Sequence, residues 1–174
     1  RNYLINLSIY CNGDYRKMEM MLSKLMSVPK YKVCTNAITI MDKDYPIRLL
    51  DLESPPLVLY YRGDTSLLNL PSAGVIGSRK PSAYAVRMTE KLVRKISKGL
   101  VIVSGLAYGI DSVAHKAALN EKTIAVLGCG IDVYYPKAHQ SLQDKIHCII
   151  SEYPNGHEPR KHHFPMRKRI ISAL

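Results

Sequence analysis

Residues 71–174 predict an α/β fold, a parallel sheet with helices on both faces, and three observations carry that reading. Short apolar runs alternate with amphipathic segments to the end of the chain. The run at residues 100–103 is apolar throughout, as in a strand covered on both faces. Glycine stands at or just beyond the ends of these segments, at Gly77, Gly99, Gly105 and Gly128, so the connections are short and tight. The chain has 174 residues, enough for one medium domain or for one domain and a small appendage, and 47% of them are hydrophobic, which suits a packed core.

Taken in order, residues 1–41 read as a small helical N-terminal region. Asp14 can cap a helix over residues 15–26, with Met18, Met21, Leu22 and Leu25 on one face as core filler. Val28-Pro29 ends it, and residues 33–40 form a second short element of unassigned type. Residues 42–70 read as a packed connector. Asp44-Tyr45-Pro46 and Ser54-Pro55-Pro56 force extended or turn geometry, with a helical turn at residues 47–50 between them. Residues 57–61 form a strand stopped by Arg62-Gly63-Asp64.

Residues 71–174 then read as a partial Rossmann-like domain. Val75-Ile76 is the first strand. Ser82 caps a helix to about residue 98, with Ala85, Met88, Leu92 and Ile96 as the buried stripe. Strands follow at residues 100–103, 123–127 and 148–150, with helices at residues 109–119 and 138–146 between them. The chain begins at Arg1 and ends in an apolar stretch without a terminating turn, so a fragment of a longer protein is expected, with the sheet truncated at its C-terminal side. No apolar run reaches the roughly 18 residues of a membrane span, and these residues show no signal-peptide pattern. The four cysteines, Cys11, Cys34, Cys129 and Cys148, are scattered and fit reduced thiols in a cytoplasmic protein.

The formal charge of +11 is uneven. Residues 1–70 hold 9 Lys and Arg against 7 Asp and Glu, net +2; residues 71–174 hold 16 against 7, net +9. That concentration favours a polyanionic partner. Trp is absent and Phe occurs once, at Phe164, which argues against aromatic base-stacking platforms and for phosphate contact.

In open parallel sheets, ligands bind beyond the carboxyl ends of the strands. Gly77, Ser78, Arg79 and Lys80 follow the first strand, where a glycine turn and a helix start expose backbone N–H groups and two full charges. Ser104, Gly105, Gly109 and Asp111 follow the second, Gly128-Cys129-Gly130 the third and Ser151-Glu152-Tyr153-Pro154 the fourth. Lys137 lies on the same rim. Arg160 to Arg169, with Arg167, Lys168 and Arg169, reads as a solvated basic strip whose charges can follow a sugar–phosphate backbone.

Competing chemistries fit less well. A dinucleotide site needs GxGxxG and an acid after the second strand, and that strand ends in Ser104-Gly105. No Walker A loop is present. Ser104, Asp111 and His115 resemble a triad by residue type, but no GxSxG elbow surrounds the serine. The histidines of residues 157–163 stand among cations that would repel a metal ion. No cofactor, metal or catalytic residue is therefore assigned.

The motif series resembles the DprA/Smf family of DNA-processing proteins. It runs through Gly77-Ser78-Arg79-Lys80-Pro81-Ser82, Ser104-Gly105-Leu106-Ala107-Tyr108-Gly109-Ile110-Asp111 with Ala114-His115, Gly128-Cys129-Gly130-Ile131-Asp132, Tyr135-Pro136, Ser151-Glu152-Tyr153-Pro154, and Phe164-Pro165-Met166-Arg167-Lys168-Arg169. The upstream Asp44-Tyr45-Pro46 and Pro55-Pro56-Leu57 are also similar, so the likeness covers about residues 44–174. It implies a non-enzymatic, sequence-independent single-stranded-DNA-binding domain that protects incoming DNA in natural transformation and helps load RecA. It implies a homodimer for the full-length protein. By motif, Arg79 and Lys80 become the phosphate-binding pair, Gly105, Gly109 and Asp111 shape the adjoining pocket, and Lys137, Arg167 and Arg169 extend the basic rim. Lys168 stands where the family has Asn, replacing an amide by a cation. The alternative is a nucleotide-binding or nucleotide-hydrolysing enzyme on a related fold, with Asp111 or Glu152 as its carboxylate; the PGGxGTxxE motif of such hydrolases is absent.

Overall fold

The computed structural model describes residues 1–32 and 36–174. Four parallel strands form one side of its sheet: β3 (Ser72–Gly74), β4 (Val101–Ser104), β5 (Thr123–Leu127) and β6 (Cys148–Ser151). Two antiparallel strands extend the sheet beyond β6. β1 is Ala37–Thr39 and β2 is Val58–Gly63, and the order across the sheet is β1-β2-β6-β5-β4-β3. The sheet is thus mixed at one edge, because the connector strand lies beside β6 in register Tyr60 opposite Ser151. β1 is the described part of the element expected at residues 33–40; Val33 and Cys34 lie outside the described residues.

The first parallel strand ends earlier than its apolar run. Val75 still donates to the Val103 carbonyl at 2.9 Å, but Ile76 leaves the sheet and is 55% exposed. Side chains alternate across the sheet, so each strand serves two cores. Tyr60, Ala125 and Ile149 point to one face, with Ile102 on the same side. Val103, Ile124, Val126 and Ile150 point to the other.

The first face is covered by α1 (Asn2–Tyr10), α2 (Tyr15–Ser23), α3 (Ala83–Ile96), α4 (Ile110–Ala117) and α5 (Gln140–Gln143). α1 carries no side-chain cap and was not anticipated; tertiary burial of Leu4, Ile5 and Leu7 holds it. α2 is capped as expected, the Lys17 N–H donating to Asp14 at 3.2 Å, and it buries Met18 and Met21. It ends before Leu25, which is 90% exposed with φ +49°. α5 is shorter than the helix expected at residues 138–146 and follows a 3-10 turn at Lys137–His139.

α3 begins as expected, with Ser82 accepting from the Ala85 N–H at 3.2 Å. Its inward face keeps Ile96 of the expected stripe, which packs against this core, but differs at Met88 and Leu92. Val93 is fully buried, whereas Met88 and Leu92 are exposed. α3 packs against the small side chains of α4, Ala114, Ala117 and Ala118, where a compact Val fits and the longer Met88 and Leu92 turn outward.

The second face is covered by α6 (His163–Ala173) with two 3-10 helices, Ile47–Asp51 and Thr65–Asn69. α6 replaces part of the solvated basic strip expected at Arg160–Arg169. Pro165 sits in its first turn, where a missing N–H costs nothing. The segment before α6 is also less solvated than expected. His157 and His163 are buried and stack on Tyr153 at 5.1 and 4.0 Å between ring centroids. His163 Nδ1 lies 3.0 Å from the Gly128 carbonyl, and burial pushes its pKa down to about 4. Cys11, Cys129 and Cys148 are free and buried. Among the described residues, no helix is long and apolar enough to cross a membrane, and no His, Cys, Asp and Glu cluster could hold a metal.

Candidate nucleic-acid interface

The four parallel strands deliver their carboxyl-end loops to one rim, and glycine lets two of these loops touch. Gly109 has φ +77°, and a Cβ there would lie 2.2 Å from the Ser78 carbonyl oxygen. The next residue, Ile110, donates to that same oxygen at 3.1 Å. The loop after β4 thereby supports the turn carrying Arg79 from below. Ser78 itself is exposed, and its Oγ accepts from the Lys80 N–H at 3.1 Å. Arg79 and Lys80 are both exposed.

α6 completes the site from the opposite face. At helical spacing, Phe164, Arg167, Lys168 and Ile171 share one side of the helix. They line a cavity of about 270 Å³ with Arg79 and Asp111, among others. The Phe164 ring lies under two guanidinium groups, Arg79 at 5.4 Å and Arg167 at 5.3 Å from its centroid. Tyr135 packs beside it at 5.5 Å. The walls are otherwise apolar, from Ile76, Ala107 and Ile171. An adjoining hollow adds Gly105, Tyr108 and Pro136.

Arg167 is a strut within the wall. It is only 7% exposed. Its Nη1 donates to the Val126 carbonyl at 3.1 Å and, by a short bond, to the Gly105 carbonyl. Its Nη2 stands 3.8 Å from the Asp111 carboxylate, which also accepts from the Ala107 N–H at 3.3 Å. Burial lowers the Arg167 pKa and the Asp111 charge opposes this. Gly105 must be glycine for this arrangement: a Cβ would meet Arg167 Nη2 at 2.4 Å and Asp111 at 2.9 Å.

The remaining residues singled out from the sequence lie in different settings. Gly77 lines the cavity. Ser104 Oγ donates to the Val75 carbonyl at 2.6 Å, tying β4 to the end of the first strand. Lys137 is exposed at the start of its 3-10 turn and lines neither hollow. Arg169 is turned away from the cavity and pairs with Glu152 at 2.5 Å. Burial raises the Glu152 pKa, and Arg169 opposes the rise by charge and hydrogen bond.

The triad-like set is taken up elsewhere. His115 is fully buried, with Nδ1 2.8 Å from the Thr123 hydroxyl, while Asp111 faces Arg167 and Ser104 faces Val75. Both rim carboxylates that a nucleotide-cleaving enzyme would use are held by arginines. The residues not anticipated as part of the site were Phe164, Tyr135, Tyr108 and Ile171. Reading residues 164, 167, 168 and 171 as one helix face would have found two of them.

Fold and site together define a Rossmann-like α/β protein with a cationic, aromatic-floored pocket at the strand ends. Residues 36–174 match the family model of DNA recombination-mediator protein A, and the chain belongs to that family, DprA/Smf. It is 47% identical to DNA processing protein DprA of Streptococcus pneumoniae over 143 residues, 79% of this chain and 51% of the relative. It is 43% identical to the Bacillus subtilis DprA over 146 residues, 80% of this chain and 49% of the relative. The chain therefore spans about half the length of these relatives. The crystal structure of DprA from S. pneumoniae superposes with a TM-score of 0.78 at 36% identity, over 99% of this chain and 70% of that one. DprA from Helicobacter pylori, whose structure addresses its single-stranded-DNA binding mode, gives 0.71 at 36% identity, over 82% and 67%.

Proposed function

We propose that this chain binds single-stranded DNA without sequence preference and acts as a recombination mediator in natural transformation, protecting incoming DNA and assisting RecA loading. The observation that carries this reading is the pocket itself, where the exposed Arg79 stands over the Phe164 ring and the exposed Lys168 lines the same cavity. Gly77, Ser78 and Arg79 supply backbone N–H groups to phosphate, and Arg79 and Lys80 supply charge. Lys168 adds a second cation to the cavity lining, and Lys137 a third along the rim. Gly105, Gly109, Ser104, Asp111 and Arg167 act by shaping the pocket, and Arg169 by anchoring α6 through Glu152. Phosphates thus supply affinity, and nothing in the pocket demands one base. In the full-length protein the domain acts as a homodimer in the cytoplasm.

The test is fluorescence anisotropy with labelled oligo-dT and with duplex, across a salt series. Binding is expected to favour the single strand and to fall steeply with salt. Arg79→Ala is expected to weaken binding to all sequences equally and to reduce the salt slope by about 0.7. Binding that ignores salt would overturn the reading.

A further inference from the structure

α3 carries a feature that the pocket does not use. Its outward face holds Arg87, Lys91, Arg94 and Lys95, and Lys98 follows just past its end; Glu90 is its one acid. All five cations are exposed, and among the described residues none of them forms an ion pair. Arg87, Lys91 and Lys95 recur at four-residue spacing and so form one ridge. Beside it runs a second ridge, Tyr84, Met88 and Leu92, which are 65%, 44% and 58% exposed. The helix starts three residues after Lys80 and runs about 21 Å down the side of the domain. The helix cations therefore follow the rim charges directly along the chain.

We propose that this face of α3 is a second contact surface for single-stranded DNA, carrying the sugar–phosphate backbone away from Arg79 and Lys80. The proposal rests on the single-stranded-DNA reading of the rim. Charge complementarity selects the occupant. Two copies of this chain meeting through α3 would oppose five cations and one acid on each side, which repel. A polyanionic strand neutralises the ridge, and its bases can lie against Tyr84 and the neighbouring apolar ridge. The pocket then holds one point of the strand, and α3 sets how many further nucleotides are bound. Affinity should therefore depend on strand length beyond what the cavity accommodates.

The test compares labelled oligo-dT of about 6 and about 24 nucleotides, lengths that bracket a single binding groove. The parent chain is compared with Arg79→Ala, with the triple variant Arg87→Ala, Lys91→Ala, Lys95→Ala, and with a control triple Lys17→Ala, Lys24→Ala, Lys30→Ala that removes equal charge elsewhere. The α3 triple is expected to bind the short strand as the parent does. It should lose about tenfold or more on the long strand, with a salt slope lower by about 2, three phosphates at about 0.7 each. Parent-like binding of both lengths by the α3 triple, while Arg79→Ala weakens both, would overturn the proposal and leave the rim reading standing. If Arg79→Ala is also silent, the rim reading falls and this proposal with it. An equal loss in the control triple would assign the effect to net charge and overturn the proposal. Light scattering that shows dimers dissolved by Leu92→Ser would assign the face to a second copy and likewise overturn it.

Discussion

Replacing Arg167 by Met separates a structural arginine from a DNA-binding one. The side chain is 7% exposed, so methionine keeps much of its volume but none of its donors. Asp111, 5% exposed, would lose its counter-charge and keep only the Ala107 N–H. The carbonyls of Gly105 and Val126 would lose their Arg167 donors. Breaking a buried pair from one side costs about 3–5 kcal/mol. Each buried acceptor left unpaired costs about 1–3 kcal/mol, and the terms overlap. A loss of about 4 kcal/mol is expected, a large part of the 5–15 kcal/mol that holds a typical domain. At about 2–4 °C per kcal/mol for a chain of this length, Tm should fall by about 8–16 °C. Urea unfolding followed by circular dichroism reads the first number and a thermal scan the second. Removing the stranded charge as well, in Arg167→Met/Asp111→Leu, should recover part of the loss. Arg167→Lys should not, because one ammonium cannot span two carbonyls and a carboxylate. A loss below about 1 kcal/mol, together with weaker DNA binding and a lower salt slope, would refute the reasoning and make Arg167 a free phosphate ligand.

Other positions give independent tests. Gly109→Ala places a methyl 2.2 Å from the Ser78 carbonyl at a φ of +77°, so it should displace the turn carrying Arg79. It should cost at least about 1–2 kcal/mol in urea unfolding and weaken oligo-dT binding in anisotropy. Lys168→Asn should leave Tm unchanged, since Lys168 is exposed, and lower the salt slope by about 0.7; an unchanged slope would place Lys168 outside the phosphate path. His115 is held neutral, its pKa pushed down to about 3 chiefly by burial and then by the Arg167 charge. The unfolded chain therefore binds one more proton between about pH 6.5 and pH 3. Stability from this group is complete above pH 6.5 and drains as pH falls towards 3, by up to about 1.4 kcal/mol per pH unit. Urea midpoints between pH 7 and pH 4 should fall less steeply in His115→Gln than in the parent, and parallel slopes would sink that assignment.

Much of the site was legible because it sits where loops leave strands. Gly77 to Lys80 and Ser104 to Asp111 could be placed on one rim from apolar runs and glycine positions alone. α6 was not legible in the same way. Its charges, Arg160 to Arg169, read in sequence as one solvated cationic strip. Winding residues 163–173 into a helix rotates Arg167 and Arg169 about 200° apart, sending one into the pocket wall and the other to Glu152. The inward face of α3 departs from the expected stripe at Met88 and Leu92 for a related reason. Two apolar stripes share its helical period, and only the small side chains of α4 select the one containing Val93.

Local pattern along the chain sets the α/β class, the strand-end loops, the cation-rich half and the motif series that places it in its family. These follow from local pattern and composition, which need no knowledge of neighbours in space. The tertiary structure alone decided which cations are available to a ligand. Arg167 finds its carbonyls at separations of 62 and 41 residues, and Arg169 its carboxylate at 17. A guanidinium's role depends on whether burial and an opposing charge have already claimed it, and those partners are brought close only by packing.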